Sequence, residues 1–309
     1  MTVLVTGGRG LVGSHVIEAL RAAGEDVRVF EGDVTDPEAW SRQGDGIDGI
    51  VHAAARVAQR LPYPEFERVN VGGTRLAVET ARRTGARLIH VSSVAIFGRA
   101  AAYDAGPGAV HEDFSLVPIP EHDFYARTKR LAEAVVRDSG LSAAAIRPNV
   151  IYGERDRLFT RRVIGVLRTG FMPRIGPGTN HLSCVYVGNV ASAIVAAFRH
   201  RAPGFRAYNI TADAPPALTE REFMDAFAQA LGVRVWRVPV PVFVARVGAS
   251  LWARWRQFRD PVGYAGLGSA AIGFIVGENP YTAARAQREL GWTPPFDTRS
   301  AIRQTVQAF

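Results

Sequence analysis

Three glycines spaced three apart constrain this chain more than any other feature. Gly7, Gly10 and Gly13 lie in Thr6-Gly7-Gly8-Arg9-Gly10-Leu11-Val12-Gly13. The apolar run 2–6 precedes them, and a helical pattern over 11–23 follows. Glycine is required where a turn is tight, where amides approach a pyrophosphate and where a helix packs closely on a strand. The helix start then directs its unpaired N–H groups and its positive dipole end at the phosphates. A chain that opens in this way is expected to build a parallel sheet with a dinucleotide site at its edge.

The rest of the chain alternates as such a sheet demands. Strands are predicted at 27–31, 48–54, 87–92 and 143–148, with helices at about 65–84 and 122–139. Alternating strands and helices give βαβ units, so the fold class is α/β, a doubly wound parallel (Rossmann) sheet. Short strands follow at 184–187 and 208–210, with helices at 188–199 and 219–231. The last third is richer in Pro and Gly. The predicted division is a dinucleotide-binding domain over 1–170, joined again by 183–200, and a smaller C-terminal substrate lobe within 171–309.

An acidic residue is expected about 20 residues past the glycine loop, at the end of the second strand, for the ribose hydroxyls. Glu31 stands there. A carboxylate at that place repels a 2′-phosphate and favours NAD. Arg9 and Arg28 keep NADP open, since either side chain has the charge to pair with that phosphate. A solvated surface role is the plainer reading of both.

Of 37 Lys and Arg residues one alone is lysine, Lys129. Arginine replaces lysine readily on a surface but not where a compact ammonium is needed. Tyr125 lies four residues before it, on the same face of a helix. A tyrosine, with a reference pKa of about 10, is a poor base at neutral pH. A neighbouring ammonium favours its phenolate. Such a tyrosine exchanges a proton with a substrate oxygen while hydride moves to or from a nicotinamide. Ser93, at the end of the strand 87–92, is placed to bond that oxygen. Ser92 competes for the role.

These segments resemble the extended short-chain dehydrogenase/reductase family. The resemblance rests on TGGRGLVG at 6–13, EGDVTD at 31–36 and VHAAA at 51–55. It continues through VNVGGT at 69–74, SSVAIFG at 92–98, YARTK at 125–129 and RPNVIYG at 147–153. It implies that Gly7, Arg9, Gly10, Leu11, Val12 and Gly13 hold the cofactor phosphates. Asp33 and Val34 are then expected by the adenine, and Ala53 and Ala54 by a ribose. Ser93, Tyr125 and Lys129 become the catalytic set. Asn70 matches an asparagine that supports the site, although a local turn contact accounts for it equally. The chain departs from the family at Glu31-Gly32-Asp33, where a helix and a third strand are fused away. The third strand is therefore expected to be shortened or missing, which puts the roles of Glu31 and Asp33 in doubt. Family members commonly pair through the catalytic helix, which implies a homodimer.

Substrate-side signals divide two enzyme readings. Sugar-nucleotide members carry an asparagine where this chain has Val150, and often an arginine where it has Leu182. VYVGNVASA at 185–193 and NPYTAARAQRELGWTP at 279–294 are similar to the 3β-hydroxysteroid dehydrogenase branch. The Pro-, Val- and Trp-rich region 236–256 suits an apolar pocket. Val94, Asn149, Val150 and Leu182 are the candidate substrate residues. The favoured reading is an NAD(P)-dependent alcohol–ketone oxidoreductase on an apolar, steroid-like small molecule. A nucleotide-sugar epimerase or dehydratase is the alternative. A cofactor-binding regulator comes third, because the Tyr/Lys pair is intact.

Charge and cysteine content bound the rest. The formal charge is +8, but the arginines are dispersed, so nucleic acid is not expected as a partner. A single cysteine, Cys184, excludes an internal disulfide and points to a reducing compartment. No secretory pattern follows Met1, so a cytoplasmic location is expected. The seven histidines show no metal spacing. His52 and His90 fall in strand patterns, His111 and His122 in the loop before the catalytic helix. Glu112 and Asp113 form no obvious acid pair. The apolar stretches 238–252 and 261–277 are too broken or short to span a bilayer. With Arg254, Arg256 and Arg259 near, peripheral membrane contact stays open, though a lid or packing helix of the substrate lobe is favoured.

Overall fold

The computed structural model describes residues 1–57, 61–259 and 268–309. Residues 261–267 of the second apolar stretch, and the side chains of Arg254, Arg256 and Arg259, lie outside that description. The chain begins β1 (Thr2–Thr6), α1 (Leu11–Ala22), β2 (Asp26–Val29), α2 (Pro37–Gln43) and β3 (Gly49–His52). Next come α3 (Tyr63–Glu67), a π-turn (Arg68–Gly72), α4 (Gly73–Thr84), β4 (Arg87–Val91) and a 3-10 turn (Val94–Phe97). Then follow α5 (Arg99–Asp104), α6 (Phe124–Arg137), β5 (Ala143–Pro148), β6 (Val150–Tyr152) and α7 (Phe159–Arg168). β7 (Phe171–Ile175), β8 (Cys184–Tyr186), α8 (Val187–Arg199), β9 (Phe205–Ile210) and α9 (Glu220–Ala230) lead into the last third. There lie β10 (Trp236–Val240), α10 (Val242–Arg259), α11 (Gly268–Val276), α12 (Ala284–Leu290) and α13 (Thr298–Gln307).

The main sheet is parallel throughout, in the order β2-β1-β3-β4-β5-β9. Its four inner strands read as continuous apolar runs because helices cover both faces. One layer packs Val3, Val5, Val51, Ile89 and Ile146 against α1 and α8. The other packs Leu4, Ile50 and Leu88 against Val78 and Ala81 of α4, with Val136 of α6. Each such fully buried aliphatic side chain stabilises the fold by about 1.5–3 kcal/mol.

The edge at β2 is where the sequence departs from the family. Beyond β2 the chain turns directly into α2, so β2 has a neighbour on one side only. The β2 pattern is half exposed, as an edge allows. β2 also stops at Val29, so Glu31 lies in the following loop and not at the strand end. The helix expected over 65–84 is interrupted by the π-turn at Arg68–Gly72, which lets Asn70 point inward.

The chain returns to the sheet twice after β7. α8 fills the groove beside α1, and β9 adds the sixth strand, with Tyr208 and Ile210 in the core. The remaining C-terminal elements carry their own cluster. Tyr152, Ile164, Leu167, Leu182, Tyr186, Phe223 and Phe227 meet Ala301 and Ile302 of α13 there. Two small parallel pairs, β6-β8 and β7-β10, belong to this part. Among the described residues, no helix is long and apolar enough to cross a membrane.

Candidate active site

The C-terminal ends of β1, β3 and β4 define one edge of the sheet, and the glycine loop leaves β1 at that edge. Gly7 has φ 69°, which L side chains rarely adopt. A Cβ there would lie 2.8 Å from the Ala54 nitrogen. At Gly13 a Cβ would lie 2.2 Å from the Gly7 carbonyl oxygen, so α1 touches the loop itself. Gly10 is exposed and caps α1 with no side-chain hydrogen bond, and no acid stands in the first turn. The N–H groups of this turn, those of Leu11 and Val12 among them, are thus left for an external acceptor. Thr6 Oγ1 accepts from the amides of Ala53 (3.1 Å) and Ala54 (3.2 Å), which pins the β3 loop against Gly7. This cradle fits a pyrophosphate: an open helix start, no competing carboxylate, and backbone approach where a Cβ would not fit.

The β2 end is arranged by Gln43 of α2. Gln43 Oε1 accepts from the Glu31 amide at 2.7 Å and Nε2 donates to the Glu31 carbonyl at 2.6 Å. The Glu31 side chain is exposed. Asp33 accepts from the amide and hydroxyl of Thr35, both at 2.9 Å, and pairs with Arg68 at 3.4 Å. The Thr35 amide chiefly holds its carboxyl below the usual range. Val34 is buried beneath Gly73. Arg28 donates to the carbonyls of Gln43 and Asp45, at the end of α2, whereas Arg9 is exposed on the loop.

α6 starts cleanly because Asp123 accepts from the Ala126 amide at 3.1 Å. Tyr125 is partly buried one turn before Lys129, which is only 3 % exposed. Lys129 Nζ donates to the Val91 carbonyl at 2.6 Å, at the last residue of β4. Burial pushes its pKa down to about 8, with Glu133 opposing the fall. Beyond Val91 the two serines separate. Ser92 donates to Glu133 at 2.5 Å, inside the sheet–helix interface. Ser93 Oγ is buried and accepts from the Ala95 amide at 3.2 Å, a bond that leaves its proton to donate.

Asn70 joins the parts. Its Oδ1 accepts from the Arg56 amide at 2.7 Å, and its Nδ2 donates to the Arg56 carbonyl and to Thr128 of α6 at 3.0 Å. The loop after β3 is thereby tied to α6. Under Lys129 lie His52 and His90, stacked at 5.8 Å and fully buried. Burial, and next the lysine charge, push His52 to about 3 and His90 well below its usual value.

Substrate-side residues are dispersed. Val94 packs with Ile96, Phe97, Val110 and Tyr281. Asn149 is buried and donates to the Thr211 carbonyl at 3.0 Å. Val150 is half-buried at the start of β6, and Leu182 is buried just before β8. His111 and His122 are exposed. Glu112 is buried and accepts from the Asn209 amide, and Arg285 reaches both it and Asp113.

Two groups escaped the sequence reading. Glu133 forms a forked, buried pair with Arg147, whose Nη1 donates to the Glu112 carbonyl. Glu133 follows Lys129 by four, a spacing that could have flagged it. Asp213 is the second, accepting from Tyr152 and Thr298 hydroxyls, the Tyr186 amide and Asn189. Nothing local in the sequence marks it, because its partners come from distant segments. Among the described residues no group of three or more His, Cys, Asp or Glu is placed to hold a metal ion.

The geometry agrees with what the chain is similar to. The family model for the NAD dependent epimerase/dehydratase family matches residues 3–211. The 2-alkyl-3-oxoalkanoate reductase of Stenotrophomonas maltophilia is 29% identical, over 98% of this chain and 98% of that protein. The 3 beta-hydroxysteroid dehydrogenase/Delta 5-->4-isomerase of Mycobacterium tuberculosis is 29% identical, over 98% of this chain and 89% of the relative. Among solved structures, MoeE5 in complex with UDP-glucose and NAD superposes with a TM-score of 0.72. It is 22% identical, and the match covers 100% of this chain and 98% of that one. With the cradle, the parallel sheet and the matched residues in agreement, the chain belongs to the NAD dependent epimerase/dehydratase family, within the extended short-chain dehydrogenases/reductases, and its cofactor is NAD.

Proposed function

We propose that the chain interconverts a secondary alcohol and a ketone on an apolar, steroid-like or long-chain substrate, with Tyr125 as the proton-transferring group. One observation carries the reading: the ammonium of Lys129, one helical turn from Tyr125, sits on the carbonyl of Val91, two residues before Ser93. NAD, when bound, takes or gives the hydride. The glycine loop and the first turn of α1 hold its phosphates. Tyr125 passes its proton to the substrate oxygen in reduction and takes it back in oxidation. Lys129 keeps positive charge beside the phenol, which makes proton loss from it cheaper. Ser93 donates to the same substrate oxygen and stabilises charge developing there.

The relatives support the substrate class, since those named above are a ketoreductase and a hydroxysteroid dehydrogenase. The apolar Val150 and Leu182 support it too, standing where sugar-nucleotide enzymes carry polar groups. A homodimer through α6 belongs to the same reading. The test is a nicotinamide assay with NAD and NADP against hydroxysteroids, 3-oxo esters with long alkyl chains, simple secondary alcohols and UDP-sugars. Cofactor turnover with the apolar alcohols or ketones is expected. Conversion of a UDP-sugar without net cofactor reduction would replace this reading by an epimerase. Tyr125→Phe is expected to lower kcat by 10²-fold or more, on the order of general acid–base catalysis, with NADH binding retained.

A further inference from the structure

α10 carries several large apolar side chains that are exposed to solvent. Phe243, Val247, Leu251 and Trp255 follow one another at i, i+4, with Val244 and Trp252 beside them. Phe243 is 70% exposed, Leu251 63% and Trp252 59%. Trp252 and Trp255 stack on each other at 5.1 Å. The opposite positions Val242, Ala245 and Ala249 are half-buried, so the helix is seated on the protein by its small residues and turns its large ones outward. β10 runs into α10 and adds Trp236, 76% exposed, against Phe171 of β7. Three of the chain's five tryptophans are thus at the surface of one lobe.

The helix's own sequence carries charge of one sign. Val242–Arg259 contains four arginines and no acid, and Arg246 is exposed. We propose that α10 and the adjoining β7-β10 edge dock this protein on an anionic lipid surface. Aromatic and aliphatic side chains would enter the headgroup boundary, and arginines would meet lipid phosphates. Tryptophan suits that boundary, having an apolar body and one polar N–H. A second copy suits it less. In a two-fold contact the same patch meets itself, so two helices with four arginines each and no acid would be brought together. Neither span nor anchor is implied: the helix lies along the surface.

The experiment uses the full chain with its NAD. Flotation is measured with vesicles of phosphatidylcholine alone and of phosphatidylcholine mixed with phosphatidylglycerol, at low and high salt. Tryptophan quenching by brominated lipid is read in parallel. Binding to the mixed vesicles at least about tenfold tighter than to the neutral ones, weakened by salt, is expected. Quenching of tryptophan emission should accompany it. The triple variant Leu251→Ser, Trp252→Ser, Trp255→Ser should stop floating while keeping NAD binding and about the native melting temperature. Arg246→Glu, a surface change that leaves the fold alone, should weaken flotation several-fold. No flotation, equal flotation on both vesicle types, or no quenching by brominated lipid overturns the proposal. A native dimer that the triple variant dissolves, without lipid binding, also overturns it and assigns the face to a second copy.

Discussion

Lys129 shows how function and stability oppose each other at one residue. Its ammonium is held in the core, with the Val91 carbonyl as hydrogen-bond acceptor. Moving its pKa from 10.5 to about 8 corresponds to roughly 3 kcal/mol of lost stability. Below pH 8 both states hold the proton and the cost is carried in full. Between pH 8 and 10.5 the folded chain releases a proton that the unfolded chain keeps, so this group's contribution to stability rises with pH. Lys129→Met should therefore be inactive yet more stable than the native chain at pH 7. Its advantage should narrow above pH 8, as read by urea unfolding at pH 7 and pH 10. A Met variant less stable at pH 7 would show that the ammonium contributes more than its burial costs. Activity should fall in the same window, as the lysine loses its charge. The Tyr125–Lys129 pair was legible because it lies within one helix and because lysine is otherwise absent. Glu133, which accepts from Ser92 and acts on Lys129, and its partner Arg147 come from separate elements, and their pairing arises only when β5 packs on α6.

At the scale of elements, close approach explains what the sequence revealed. Gly13 admits no Cβ because α1 starts against the Gly7 carbonyl. Gly13→Ala must push the helix off its strand. It should cost about 2–4 kcal/mol, as overpacking and strain do, and weaken NAD binding more than tenfold by calorimetric titration. Gly24→Ala, with open space around its Cβ but a positive φ, is the comparison: it should lose about 1 kcal/mol and keep NAD affinity. The parallel sheet and the missing third strand were legible too, since a run fused as Glu31-Gly32-Asp33 leaves no residues for another βα unit. The π-turn was not, because Gly72 and Gly73 mark a weak point in the helical pattern without saying that the chain widens there and continues as helix. The strands β3 and β4 bring a further cost. His52 Nε2 and both His90 ring nitrogens are buried without a partner. Both rings stay neutral in the fold, while the unfolded chain takes up protons below about pH 6.5. Stability present above pH 6.5 is therefore lost as pH falls towards 3, by about 2–3 kcal/mol for His52 at pH 4.5, with His90 acting in the same direction. His90→Leu should be at least as stable as the native chain at pH 7 and should lose less stability between pH 7 and 4.5. An unchanged acid slope would show that His90 is not the group responsible.

For the whole molecule the question is what makes two differently built parts behave as one. Asp213 stands at their junction. Tyr152 of β6 donates to it at 2.5 Å, Asn189 of α8 at 2.7 Å, the Tyr186 amide at 2.8 Å and Thr298 of α13 at 3.1 Å. α8 packs on the cofactor sheet, whereas β6, β8 and α13 belong to the C-terminal cluster. One carboxylate thus receives donors from both sides. Burial raises its pKa despite four donors that oppose the rise, so the bonds only partly offset desolvation. Such a residue resists detection in sequence because its meaning lies entirely in contacts made after folding. Asp213→Ala leaves the buried donors unpaired and should cost about 3 kcal/mol or more. Asp213→Asn keeps one acceptor oxygen and should cost about half as much. The coupling has its own signature. NAD at about a hundred times its Kd stabilises whatever unfolds with the cofactor site by about 2.7 kcal/mol. In the native chain that shift should move a single calorimetric transition. In Asp213→Ala it should move only part of a broadened or split one, the C-terminal cluster melting first and insensitive to NAD. A single transition in the alanine variant, shifted by NAD as in the native chain, would mean that packing between α1, α8 and the C-terminal elements couples the two parts without this carboxylate.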